Sequence, residues 1–186
     1  MEGKDFRMVA KTMYGLEDVL VKELETIGAK NIEKLNRAVS FEGDMTMLYK
    51  ANYLLRTAIS ILKPIYSFEA NNEKELYDNV YKYKWEKLIN CDGTLSIEPV
   101  VYSSIFTHSL YASQKTKDAI CDRIRKMFLQ RPTLTKDNPD IILNLHINEN
   151  QVTISLDSSG ESLHRRNYRL ATEKAPINEV VAAGLI

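Results

Sequence analysis

The sequence predicts an α+β chain built from two small domains and a basic tail. Over residues 6–66, stretches that alternate apolar and polar residues are interleaved with stretches of helical periodicity. The polar segment Glu69-Ala70-Asn71-Asn72 then breaks the pattern, and the next segment of the chain begins with a helix. With 186 residues, the chain is long enough to bury two separate cores.

The first domain is predicted at residues 1–68. Its strands are expected at 6–12, 32–35, 38–41 and 57–66, and its helices at 16–27 and 44–55. Gly28 suits the end of the first helix, and Asp44 can cap the second. The resulting order, β-α-β-β-α-β, is that of the ferredoxin-like arrangement.

The second domain is predicted at residues 69–160. Asn72 and Glu75 form a capping pair for its first helix. A strand is expected at 95–102, and an amphipathic helix at 113–129 that Pro132 ends. Residues 141–147 and 151–157 alternate around the turn Asn148-Glu149-Asn150 and predict a hairpin.

The tail, residues 161–186, ends in another helical pattern. Pro176 suits a first helical position, and apolar residues continue at helical spacing: Ile177, Val180, Val181, Leu185 and Ile186. This stripe shows no partner in the sequence, which suggests that a larger protein continues beyond Ile186. The alternative is a helix that packs back on its own domain.

Composition narrows the function classes. The 25 basic and 25 acidic side chains cancel, which disfavours a uniformly basic nucleic-acid-binding domain. Cys91 and Cys121 lack metal-ligand or redox spacing, and the three histidines are scattered, so we expect reduced thiols and no metal site. No apolar run reaches the roughly 18 residues of a membrane helix, and the polar N-terminus lacks a signal-peptide core. We therefore expect a cytoplasmic protein without a membrane partner.

The positive charge is concentrated in two segments, each of which could bind phosphate. In the first, the start of the 113–129 helix offers free N–H groups and cations to an anion. The candidate RNA-binding residues there are Ser113, Gln114, Lys115 and Lys117, with Arg123, Arg125 and Lys126 further along the helix. Alternatively, Asp118 and solvent satisfy these charges.

The second segment comes after the Gly160 turn. It carries Arg165, Arg166 and Arg169, which suit phosphate, and Tyr168, which can stack on an unpaired base. A solvated linker is the alternative. No catalytic constellation accompanies either segment: G-x-G and G-x-S-x-G spacings do not occur, and Asn138-Pro139-Asp140 fits a turn. We expect neither a catalytic residue nor a cofactor site.

Three motifs in the chain are specific: residues 12–20 read TMYGLEDVL, residues 114–122 read QKTKDAICD, and residues 157–169 read DSSGESLHRRNYR. Together they resemble the N-terminal part of the THUMP-containing RNA methyltransferases, above all the bacterial large-subunit ribosomal RNA guanine-N2-methyltransferases, often labelled N6-adenine-specific DNA methylases. The corresponding patterns of that family are GLE…L..EL, QK.KDAI.D and D.SG..LHRRGYR, so Asn167 takes the place of the usual Gly. Asn tolerates positive φ, so the turn can be kept.

The resemblance implies a ferredoxin-like domain, a THUMP domain that holds structured RNA, and a linker. It further implies that residues 175–179 lead into a methyltransferase domain beyond Ile186, which would bind S-adenosylmethionine and carry an N-P-P-Y motif. On this basis the chain is an RNA-binding module that positions structured RNA, ribosomal RNA in the first instance, and does not methylate alone. The alternatives are the corresponding module of a transfer-RNA guanine-N2-methyltransferase and a protein-interaction or dimerisation module. The oligomeric state is left open.

Overall fold

The computed structural model describes residues 4–90, 92–135, 137–166 and 176–186. The chain forms two compact units. The first contains the residues up to Lys63 together with those from Asp157 onward, and the second contains Pro64–Leu156. The expected domain borders at 68/69 and 160/161 stay predictions. Ser158 and Ser159 belong to the first unit, where their side chains hydrogen-bond to the backbone of Ile61.

The first unit has the expected ferredoxin-like order. Its elements are β1 (Phe6–Lys11), α1 (Glu17–Thr26), β2 (Lys30–Leu35), β3 (Ala38–Gly43), α2 (Met45–Leu54) and the first residues of β4 (Ser60–Glu69). The strands lie in the order β2-β3-β1-β4, and β1 pairs antiparallel with both β3 and β4. The predicted α+β class and the ferredoxin-like fold of the first domain are therefore confirmed.

One core holds the first unit together. Met8 of β1 and Phe41 of β3 lie on the same face of the sheet as a result of strand alternation, and both are fully buried. Leu20 and Leu24 of α1 join that cluster, one helical turn apart. The side chain of Asp44 accepts a hydrogen bond from the N–H of Met47 at 2.9 Å, as expected for the cap of α2.

The second unit places two long helices against a mixed sheet. Its elements are α3 (Glu73–Lys82), a 3₁₀ turn (Trp85–Lys87), β5 (Thr94–Tyr102), α4 (Ser109–Phe128), β6 (Thr133–Leu134), β7 (Ile141–Asn148) and β8 (Gln151–Asp157). β5 pairs parallel with β7 and with β6, and β7 and β8 form the expected antiparallel hairpin. The two-residue strand β6 was not predicted.

The predicted start of α4 was wrong. The helix begins at Ser109, four residues before the expected position, and His108 occupies the cap position without a side-chain cap hydrogen bond. Ile120 and Ile124 of α4 are fully buried, whereas Met127 and Phe128 at the end of the helix are about half exposed. The core side of the helix is completed by small residues earlier in the chain, namely Ala112, Thr116 and Ala119.

The tail contributes a short helix to the first unit, α5 (Glu179–Gly184). Val180 is buried, and the α carbon of Gly184 lies so close to Leu16 that an added Cβ would approach the leucine side chain to 2.5 Å. The apolar stripe therefore packs in part within its own unit, through Val180. Ile177, Leu185 and Ile186 remain exposed.

Candidate functional site

The predicted phosphate-binding residues of α4 do not sit at its N-terminus. Because the helix begins at Ser109, Ser113 and Gln114 lie in its second turn, and Lys115 and Lys117 come after them. The free N–H groups of the first turn belong to earlier residues instead. These four residues therefore lie beyond the free N–H groups of the helix terminus, and their role in RNA binding stays a prediction.

Several charges of α4 are already matched by carboxylates. Lys117 lies 3.3 Å from its neighbour Asp118, at the helix surface. Arg123 makes a two-pronged contact with Glu86, with its Nη2 2.7 Å from Oε1 and its Nε 3.2 Å from Oε2. The hydrogen bond from Arg123 lowers the pKa of the Glu86 carboxyl. Arg123 thus joins α4 to the 3₁₀ turn and is occupied by this structural contact.

The last two turns of α4 border a groove of about 800 Å³, here called the α3–α4 groove. It is lined by Tyr77, Asp78, Tyr81, Asp122, Arg125, Lys126 and Leu129. Arg125 and Lys126 are exposed, and the ammonium of Lys126 lies 5.9 Å from the centre of the Tyr81 ring. Neither takes part in an ion pair within the described part of the chain.

Asp122 does not cancel these cations, since it has partners of its own. The hydroxyl of Tyr77 donates to one carboxylate oxygen at 2.9 Å, and the Arg131 guanidinium contacts the other at 2.8 Å. Burial, reinforced by the bond to Asp122, raises the pKa of Tyr77 to about 12, so its hydroxyl stays protonated near neutral pH. The groove therefore offers two cations beside two tyrosine rings.

A second, smaller groove of about 430 Å³ was not anticipated from the sequence. This lysine–tyrosine groove is lined by Tyr66, Lys82, Tyr83, Lys84, Lys87 and Leu88. The only sequence signal for it is the alternation of lysine and aromatic residues in Tyr81-Lys82-Tyr83-Lys84-Trp85. Tyr66 comes from β4 and is too distant in the sequence to be associated with that segment by pattern alone.

The arginines of the tail have different environments. Arg165 is exposed, whereas Arg166 is half buried and its guanidinium donates to the backbone carbonyls of Asn52, Tyr53 and Leu55 at 2.7–2.8 Å. Those carbonyls lie at the C-terminal end of α2, where intrahelical partners are lacking. Arg166 therefore stabilises the first unit. Tyr168 and Arg169, also predicted to bind RNA, lie outside the described residues.

The described ranges contain no cluster of three or more His, Cys, Asp or Glu side chains that could hold a metal ion. Cys121 is buried in α4, and burial raises the pKa of its thiol, while Cys91 lies outside those ranges. Among the same residues, no helix is long and apolar enough to cross a bilayer.

The fold thus defines a two-domain α+β protein with an exposed cationic and aromatic surface on its second unit. Comparison with protein families makes this specific: residues 7–62 match the RlmL ferredoxin-like domain, and residues 70–157 match the THUMP domain. The chain therefore carries a ferredoxin-like domain of this type followed by a THUMP domain.

Relatives along nearly the whole chain include the ribosomal RNA large subunit methyltransferase K/L of Syntrophotalea carbinolica, 39% identical over 92% of this chain and 24% of that protein. The protein of the same description from Magnetococcus marinus is 36% identical over 97% of this chain and 25% of its own length. A solved structure of a possible methylase from Clostridium difficile 630 superposes with a TM-score of 0.82 at 28% identity, covering 98% of this chain and 48% of that one. The chain thus spans about a quarter of the length of these two ribosomal RNA large subunit methyltransferases.

Proposed function

We propose that this chain is an RNA-binding module that holds structured RNA, ribosomal RNA in the first instance, for an S-adenosylmethionine-dependent methyltransferase domain. The observation that carries the proposal is the α3–α4 groove of the THUMP domain. Arg125, Lys126 and Tyr81 all line this groove, and neither cation has a carboxylate partner among the described residues. Relatives described as ribosomal RNA methyltransferases support the choice of RNA.

Local charge explains how a neutral chain could bind a polyanion. Salt screens a charge beyond about 8–10 Å, so a phosphate in the groove responds to the nearby cations and not to the sum over the chain. Asp78 is the only lining carboxylate besides the paired Asp122, which leaves a local excess of positive charge. Arg can contact a phosphate through two N–H groups, and Lys supplies a point charge beside it.

Methyl transfer is proposed to reside outside these residues. S-adenosylmethionine domains of the expected kind hold the cofactor on a glycine-rich turn between a parallel strand and a helix. The described glycines are isolated along the chain, at positions 15, 28, 43, 93, 160 and 184, and do not fit that turn. The proposed contribution of this chain is therefore to bind and orient RNA.

The test is a filter-binding titration of the full chain with a stem-loop RNA at several salt concentrations. Reversing both groove charges, Arg125→Glu with Lys126→Glu, should weaken binding by about a hundredfold, since each of the two charge-assisted contacts contributes about 1.5 kcal/mol. The slope of log affinity against log salt should fall by about two, at about 0.9 per lost phosphate contact on a duplex. The neutral pair Arg125→Gln with Lys126→Gln should show the same trend with less risk to folding.

A matched control reverses two exposed lysines of the first unit, Lys22→Glu with Lys50→Glu, and changes the net charge equally. This control should retain wild-type affinity within about twofold. If it weakens binding as much as the groove variant, the interaction is a diffuse charge effect and the proposed interface is wrong. If the wild-type chain shows no salt-dependent affinity for RNA, the proposed function is wrong and a protein-interaction role becomes the better explanation.

A further inference from the structure

We propose that the lysine–tyrosine groove of the THUMP unit binds an unpaired nucleotide of single-stranded RNA, with its base against Tyr66 and Tyr83 and its phosphates near Lys82, Lys84 and Lys87. The inference rests on the proposed function, RNA binding by this chain, and deepens it by naming a second contact and its ligand. A groove of about 430 Å³ falls in the range of small-molecule sites.

The aromatic wall of the groove is rigidly supported. Tyr66 lies 4.9 Å from Phe68 and 5.0 Å from Tyr83, measured between ring centres. Tyr83 in turn lies 4.6 Å from Trp85. Trp85 is fully buried, and its indole N–H donates to the Val80 carbonyl at 2.7 Å, which fixes this end of the row.

Rings held in this way are suited to stacking. Tyr66 and Tyr83 are both half buried, so part of each side chain remains accessible to solvent. A base that stacks on a preordered ring loses less conformational entropy than one that must first order a flexible side chain. Burial raises the pKa of Tyr83, which keeps its hydroxyl neutral and avoids adding a negative charge beside a phosphate.

The charge of the groove is also poorly compensated. Lys82, Lys84 and Lys87 are exposed, and none forms an ion pair within the ranges that the structure describes. The only carboxylate in this segment is Glu86, which is largely buried and bound by Arg123 on α4. Three cations are therefore available at one edge of the aromatic wall, whereas on α4 the basic side chains are interspersed with Asp118 and Asp122.

Aromatic rings combined with cations, without a set of polar groups that reads a base edge, are typical of single-stranded nucleic-acid sites. A duplex cannot use the rings, because its bases are stacked on one another and their faces are covered. The lysine–tyrosine groove and the α3–α4 groove thus differ in the RNA they recognise: the first requires an unpaired base, and the second requires only phosphate.

The experiment compares two RNA probes on the full chain, a short single-stranded oligoadenylate and a blunt-ended duplex. Tyr66→Leu keeps apolar bulk but removes the flat ring. It should weaken oligoadenylate binding by about tenfold, the loss expected when one base loses its aromatic partner, and should leave duplex binding within about twofold. Tyr102→Leu, which replaces an exposed tyrosine of the same unit outside the groove, should change neither.

The lysines are tested by the triple change Lys82→Gln, Lys84→Gln and Lys87→Gln. The salt slope for oligoadenylate should fall by about two, at about 0.7 per contact on a single strand. The control triple, Lys22→Gln, Lys50→Gln and Lys74→Gln, removes the same charge from exposed positions that do not line the groove and should leave the slope unchanged. Unchanged Trp85 emission in each variant verifies that the aromatic row is intact.

The outcomes separate the two proposals. If Tyr66→Leu and Tyr102→Leu affect oligoadenylate equally, or if Tyr66→Leu affects both probes equally, the nucleotide site is wrong while RNA binding stands. If the duplex and stem-loop fail to bind but oligoadenylate binds through Tyr66, the nucleotide site is supported and the proposed function needs revision. If no RNA binds, both are wrong.

Discussion

Arg166 was predicted from the sequence to contact RNA, but its geometry assigns it a structural role that substitution can measure. Its guanidinium donates to the carbonyls of Asn52, Tyr53 and Leu55, and its Nε donates to the Leu163 carbonyl at 3.1 Å. The Arg166 side chain therefore supplies hydrogen-bond donors to the C-terminal carbonyls of α2 and connects the tail of the chain to that helix. Replacement by Met keeps the length and apolar stem of the side chain and removes every one of these donors.

The size of the effect depends on the bonds lost. A hydrogen bond that involves a charged group contributes about 1.5–3 kcal/mol, and a cation at a helix C-terminus contributes about 0.3–1 kcal/mol. The carbonyls can be hydrated after the substitution, and bonds made by one group are not additive. We expect Arg166→Met to lower the free energy of unfolding by about 2–3 kcal/mol, and Arg166→Lys to lower it by about half as much.

The assay is urea denaturation monitored by far-ultraviolet circular dichroism. With a urea dependence of about 1–3 kcal/mol per molar, the midpoint should fall by roughly 1–2 M in Arg166→Met. Arg165→Met is the matched control, because it removes the same charge from an exposed neighbour that forms no ion pair with another described residue. Equal midpoints for the two variants, or an unchanged midpoint for Arg166→Met, would refute the structural assignment.

The remaining predictions concern the second unit. Arg123→Met should lower the free energy of unfolding of this unit by about 2 kcal/mol. This is less than the 3–5 kcal/mol lost when a fully buried ion pair is broken, because the side chains of Arg123 and Glu86 are 20% and 15% exposed. In a double-mutant cycle followed by urea denaturation, adding Glu86→Gln to Arg123→Met should recover part of this loss. Since the folded-state pKa of Glu86 is lowered, its contribution is present above the unfolded pKa of about 4.3 and is lost as pH falls through the folded pKa. In urea titrations from pH 6 downward, the free energy of unfolding should therefore fall less with acidification in Arg123→Met than in the wild type. If it falls equally in both proteins, the pairing of Arg123 with Glu86 is contradicted. Asn72→Ala should cost about 1 kcal/mol, because the Asn72 side chain accepts from the Glu75 N–H at 2.9 Å, whereas Asn90→Ala should cost far less.

Local signals in the sequence were sufficient for most elements of the fold. Strand alternation placed β1, β3 and the β7–β8 hairpin, and Asp44 and Asn72 cap the helices that they were expected to cap. These features depend on residues within a few positions of one another. The start of α4 was misplaced because His108, which occupies the cap position, is not a residue type that favours helix starts and makes no side-chain cap hydrogen bond.

The candidate site was harder to predict because it depends on partners distant in the sequence. In the sequence, Arg123 and Arg166 cannot be distinguished by charge from Arg125 and Arg165, and all four were predicted to bind RNA. Only the fold brings Glu86 to Arg123 and the end of α2 to Arg166. The lysine–tyrosine groove was missed for the same reason, since Tyr66 on β4 reaches Tyr83 only through tertiary packing.

Ultraviolet crosslinking of the full chain to a stem-loop RNA with a single-stranded end, coupled to peptide mass spectrometry, tests the central claim most directly. The proposed interface predicts crosslinks in the peptides that carry Tyr66, Tyr81–Lys87 and Arg125–Leu129, and their loss as salt is raised. Crosslinks confined to the first unit, for example to the exposed tyrosines Tyr49 and Tyr53 of α2, would contradict it.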